Sequence, residues 1–159
     1  MVREEPQAVV EVKVVVDTNI VFSAVLNSNS RIALVLISGK RHFKFYSCGF
    51  LRTELLKHQA KLRKLAKLSE SELVEVTAKV CANITFMDER ALSSALVLRT
   101  EELMASNDLK DVPFVALAKN LKAKLWTGDK ALTKGLLVSH PKLVISTADL
   151  LARIESLEG

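Results

Sequence analysis

The chain has 159 residues, 49% apolar and 26% charged, with a formal net charge of +5 and a pI near 9.3. That length accommodates one domain with a proper core rather than two, and the composition excludes wholesale disorder. No apolar run approaches the roughly 18 residues of a membrane span, and the basic excess favours a polyanionic partner over a membrane.

Residues 1–7 carry Arg3, Glu4, Glu5 and Pro6 and lack a secretory apolar core, so residues 1–11 read as a short flexible leader. The two cysteines, Cys48 and Cys81, have no metal-type spacing. Free thiols in a reducing cytoplasm are the expectation. His42, His58 and His140 are scattered and form no zinc pattern.

The first ordered element is predicted at Val12-Lys13-Val14-Val15-Val16. So many valines suit a strand buried on both faces of a parallel sheet. The run ends on Asp17. In open α/β sheets the working residues lie just past the carboxyl ends of strands, although an aspartate there also serves as a helix N-cap. A short helix or turn over 20–26 follows, then a break at 27–30, then a helix over 31–38 closed by Gly39 at its C′ position. Alternating aromatics and lysine at 43–46 predict the second strand. Ser47 is placed to cap one long helix over 50–68.

Ser69 and Glu72 form a capping-box pattern, opening a helix that runs to Cys81. A third strand covers 84–86 and a helix 90–104. Residues 107–111 open the next helix, to about 123, with Pro113 tolerated in its first turn. The fourth strand spans 124–127, Gly128-Asp129 turns into a helix over 130–137, a fifth strand covers 143–145, and a helix over 147–157 closes the chain. This alternation predicts a three-layer α/β/α sandwich around a five-stranded parallel sheet, forming one domain over 12–159.

The acids fall in a pattern. Asp17 and Asp129 each follow a strand, Glu54 lies in the helix after the second strand, and Asp108 and Asp111 sit at a helix start. Each has a plain alternative: Asp111 as a cap, Asp129 as a turn residue, and Glu54 as a surface charge beside Lys57 and His58. Independent caps would not be expected to share strand ends in this way. Carboxylates converging on one crevice repel unless a cation is present, and an oxygen-rich site suits Mg²⁺ or Mn²⁺. On the 50–68 helix, Leu51, Leu55, Leu62 and Leu65 mark a core stripe. Lys57, Lys61 and Lys64 form a second stripe on the side of Glu54, which is either a phosphate track or a solvated face.

Val16-Asp17-Thr18-Asn19, Ser47 through Glu54-Leu55, Asp108-Leu-Lys-Asp111-Val-Pro-Phe-Val-Ala-Leu-Ala118 and Leu125-Trp-Thr-Gly-Asp129-Lys130, in that order, resemble the PIN-domain ribonucleases over about residues 12–155. The resemblance implies a metal-dependent endoribonuclease that cleaves single-stranded RNA with one or two Mg²⁺ or Mn²⁺ ions. Asp17, Glu54, Asp111 and Asp129 match the family's acidic quartet. Asp108 matches a further acid of its Asp-x-x-Asp variant, so whether Asp108 or Asp111 contacts metal stays open. Thr18, Asn19 and Thr127 match polar positions that support the acids, and a homodimer is a further implication. The role is either that of a toxin, with a protein antitoxin as partner, or that of an RNA-processing or decay nuclease.

Two rival readings fit parts of the pattern. A haloacid-dehalogenase-like phosphatase also opens on a strand and an aspartate, but it needs a second aspartate where Asn19 stands and a later acid within 130–135, where none occurs. A PIN-like domain that binds RNA or a partner without turnover is the non-enzymatic alternative, and the intact set of acids argues against it.

Overall fold

The computed structural model describes residues 12–158, so the leader expected at 1–11 lies outside the described residues. Five strands form one sheet: β1 (Val12–Val16), β2 (Phe43–Cys48), β3 (Ile84–Met87), β4 (Lys124–Trp126) and β5 (Val144–Ile145). Their order is β3-β2-β1-β4-β5 and all four pairings are parallel. β1 is central, and its Val14, Val15 and Val16 are fully buried, as a strand covered on both faces requires. The α/β sandwich expected from the sequence is the fold observed.

The helices are α1 (Thr18–Leu26), α2 (Arg31–Ser38), α3 (Gly49–Lys57), α4 (Gln59–Ala66), α5 (Glu70–Cys81), α6 (Ser94–Leu103), α7 (Val112–Leu121), α8 (Lys130–Ser139) and α9 (Thr147–Glu158). From β1 the chain moves outward through β2 to β3, then returns to β4 on the other side of β1. Right-handed crossovers therefore place α1–α5 on one face and α6–α8 on the other. α7 lies across β1, β2 and β4, while α1 packs with α2, α4 and α5. Between β1 and β4 the connections leave toward opposite faces, which opens a crevice at the carboxyl ends of the strands. No single helix is long and apolar enough to cross a membrane.

Several local expectations need correction. The long helix over 50–68 is two helices, α3 and α4, broken at His58 (φ −105°, ψ 12°). The apolar stripe does not carry through to the end of α4. Leu51, Leu55 and Leu62 are buried, but Leu65 is 57% exposed. Ser47 caps nothing: its hydroxyl donates to the Val16 carbonyl at 2.8 Å, tying β2 to β1. Cys48 holds the cap position of α3 without a side-chain bond, and the Gly49 N–H donates instead to Glu89 Oε2 at 2.9 Å.

Gly39 is not left-handed. Its φ is −81° and the chain runs on into a 3₁₀ turn. Its lack of a side chain serves packing, since a Cβ there would meet the Phe45 ring at 3.3 Å. The helix expected over 90–104 is a 3₁₀ turn (Glu89–Ala91) followed by α6, which Ser93 caps. The capping box of Ser69 and Glu72 is present as read.

The end of the buried stripe within α4 makes a stability prediction. Leu62→Ala removes a side chain only 3% exposed and should cost about 2–4 kcal/mol. Leu65→Ala should change stability by no more than about 0.5 kcal/mol. Denaturant unfolding of the two variants decides it, and equal losses would restore a single continuous stripe.

Candidate metal centre

Asp17 and Asp129 flank the crevice from adjacent strands, and backbone capping aims both. Asp17 is 3% exposed and accepts from the Ile20 N–H at 3.1 Å as the N-cap of α1. Asp129 accepts from the Leu132 N–H at 3.1 Å as the N-cap of α8. Thr127 joins them: its hydroxyl accepts from the Asp129 N–H at 3.1 Å and hydrogen-bonds the Asp17 carboxylate. The capping and functional readings of these aspartates are thus compatible, because a carboxylate held by one oxygen is an oriented carboxylate.

Asp108 caps the 3₁₀ turn Leu109–Asp111 by accepting from the Lys110 N–H at 3.0 Å. Asp111 occupies the N-cap position of α7 but makes no side-chain cap bond. Its carboxyl is pushed up to about 6, first by burial and then by the charges of Asp129, Asp17 and Asp108. Burial also raises the Asp17 carboxyl; hydrogen bonds from Thr127 and Ile20 oppose this, and the Asp129 charge adds to it. Glu54 is no surface charge. It is 8% exposed, with Oε2 3.2 Å from His58 Nε2.

All five acids line one crevice of about 180 Å³, together with Thr18 and Asn19. The same crevice takes in residues that sequence reasoning left out: Phe22, Phe50 and Phe114, Lys110, and His58. Phe50 and Phe114 pack with ring centroids 6.0 Å apart and supply apolar wall that helps to desolvate the acids. The position of His58 four residues after Glu54 was the available signal for it. Lys57, Lys61 and Lys64 are exposed and lie outside the crevice lining; Lys57 ends α3, whereas the other two belong to α4. Both cysteines are free, and burial pushes their thiols up to about 11. Neither is a thiolate nucleophile near neutral pH.

The donor set fits a hard divalent cation. It is all oxygen, its charges oppose one another, and the Thr18 hydroxyl at its edge is buried with no hydrogen-bond partner among the described residues. Among those residues no three carboxylate, imidazole or thiol groups converge tightly enough to enclose an ion by themselves. Mg²⁺ is commonly held in that way, by one or two carboxylates, water and substrate phosphate rather than by an all-protein cage.

The crowding of Asp111 sets a pH dependence. Its folded value, about 6, lies above the ordinary 3.8. Between those values the folded protein holds a proton that the unfolded chain has released, so this group makes stability rise as pH falls through 6. Above that range the charge is a standing penalty. In chelator, Asp111→Asn should therefore melt higher than wild type at pH 7.5, and the difference should shrink by pH 4.5. Thermal melts at the two values measure it, and a constant difference would mean that Asp111 is not crowded.

A model of the family described as PIN domain matches residues 15–148. The crystal structure of PAE2754 from Pyrobaculum aerophilum superposes with a TM-score of 0.67 at 17% identity, covering 94% of each chain. VapBC2 from Rickettsia felis, solved bound to a DNA fragment from their promoter, gives a TM-score of 0.61 at 14% identity, over 84% of this chain and 98% of that chain. At such identities the likeness is one of fold. No curated protein matches this sequence. The family match runs from within β1 to within α9 and spans every acid of the crevice, so the chain belongs to the PIN domain family.

Proposed function

We propose that this protein is a metal-dependent endoribonuclease that hydrolyses phosphodiester bonds in RNA. The observation that carries the reading is the meeting of Asp17, Glu54, Asp108, Asp111 and Asp129 in one crevice at the switch point of the sheet. These five would hold one or two Mg²⁺ or Mn²⁺ ions. A bound ion supplies positive charge facing the phosphate and lowers the pKa of the attacking water.

The chain's own residues do the rest. Asp17 and Asp129 are rigid because backbone caps and Thr127 hold them, so little ordering remains at the moment of reaction. Asp111, whose carboxylate makes no cap bond, takes the proton of the attacking water. Lys110 brings a positive charge to an otherwise acidic rim. The exposed Lys57, Lys61 and Lys64 would meet RNA phosphates beyond the crevice. In this reading the protein acts either as a toxin, with a protein antitoxin as partner, or as an RNA-processing or decay nuclease.

Two variants test the chemistry. Asp17→Asn and Glu54→Gln should each lower cleavage of a fluorescent single-stranded RNA in Mn²⁺ by about a hundredfold or more, while RNA binding in chelator persists or tightens. A DNA of the same sequence, run in parallel, reports whether the sugar matters. Wild-type rates in either variant would remove that acid from the site. A third variant with Lys57, Lys61 and Lys64 all neutralised should flatten the dependence of log affinity on log salt, by roughly 0.7 for each phosphate no longer neutralised. An unchanged slope would mark those lysines as a solvated face.

A further inference from the structure

Glu54 differs from the aspartates around it. Asp17, Asp108 and Asp129 are each aimed by a backbone N–H two or three residues further along the chain. Glu54 lies inside α3, where the neighbouring N–H groups are engaged in the helix, and its longer side chain has more rotamer freedom to lose. Among the described residues its carboxylate has one polar partner, His58, with Nε2 3.2 Å from Oε2.

His58 is itself well anchored. It stands at the break between α3 and α4, where its N–H donates to the Glu54 carbonyl at 3.0 Å and its carbonyl accepts from the Leu62 N–H at 3.0 Å. Its ring meets Phe22 of α1 edge-on, with centroids 5.7 Å apart and planes at 80°. The main chain at His58 is therefore held by the helices on either side, its ring rests against Phe22, and Nε2 faces the carboxylate.

We propose that His58 is the positioning residue for Glu54, holding that carboxylate ready for a divalent ion in the crevice; this rests on the nuclease reading above. The ring nitrogen lies 3.2 Å from one carboxylate oxygen and leaves the other available as a ligand. Groups that orient a ligand in this way commonly set metal affinity as strongly as some ligands do.

The test is titration calorimetry of the full chain with Mn²⁺. His58→Leu fills the space beside Phe22 without a donor and should weaken binding by about tenfold or more. His58→Gln restores an N–H donor four residues after Glu54 and should recover most of that loss. In a Glu54→Gln background, His58→Leu should make no further difference.

Three results would overturn the proposal: unchanged affinity in His58→Leu, equal losses in the Leu and Gln variants, or a further loss in the Glu54→Gln background. A lowered melting temperature of His58→Leu with unchanged affinity likewise makes the residue merely structural. A wild type that binds no Mn²⁺ overturns the nuclease reading together with the role of His58. Failure confined to His58 is distinguished from that case, because the wild-type titration and its loss in Asp17→Asn then remain.

Discussion

Repulsion between buried carboxylates is the constraint on which this structure turns. Asp17 and Glu54 are almost wholly buried, and Asp111 feels the charges of Asp129, Asp17 and Asp108 together. Burial alone disfavours the charged form, and each like neighbour disfavours it further. Such a cluster persists only because the surrounding structure over-determines where its members stand. The apolar core supplies that rigidity. Val14, Val15 and Val16 of β1 are sealed on both faces, and Val16 carries Asp17 directly into the crevice.

The economy of the arrangement lies in what holds the acids. Asp17 and Asp129 are the N-caps of α1 and α8, so the bonds that start those helices also orient the carboxylates. A negative charge is moreover favoured at a helix N-terminus, which recovers part of the electrostatic cost. Thr127 adds a shared clamp, accepting from one aspartate's backbone while bonding the other's side chain. Asp111 has no such bond and bears the largest share of the crowding. A site that sacrifices some stability to keep charged groups unneutralised is a familiar trade in proteins whose activity needs strained or crowded groups.

Topology explains why the crevice lies where it does. The strand order reverses between β1 and β4, so α1 and α8 start side by side yet leave toward opposite faces. Their N-terminal turns, with the loop carrying Asp108 and Asp111 and the inner side of α3, enclose the space. Phe50 of α3 and Phe114 of α7 close its wall from two further elements. An anion approaching this crevice unaided meets a wall of negative charge, while the chain as a whole carries an excess of five positive charges. The basic residues must therefore lie mainly elsewhere, as Lys57, Lys61 and Lys64 do on the exposed sides of α3 and α4.

The sequence by itself determined the elements whose signals are local. The valine run of β1, the Ser69–Glu72 capping box and Pro113 at the start of α7 depend on neighbours a few residues away, and all appear as read. The acids at strand ends were legible for the same reason, since a strand that stops on Asp17 or leads through Gly128 to Asp129 announces itself in a short window. Tertiary structure decided the rest. Ser47 looks like a cap, but its hydroxyl reaches a carbonyl of β1. Leu65 fits a helical stripe, but near the end of α4 it stands 57% exposed. Asp111 has the local sequence of an ordinary cap, and only when β4 settles beside β1 do Asp17 and Asp129 come near enough to move its titration. Charge interactions act through space rather than along the chain, and no local window contains the sheet order that brings these residues together.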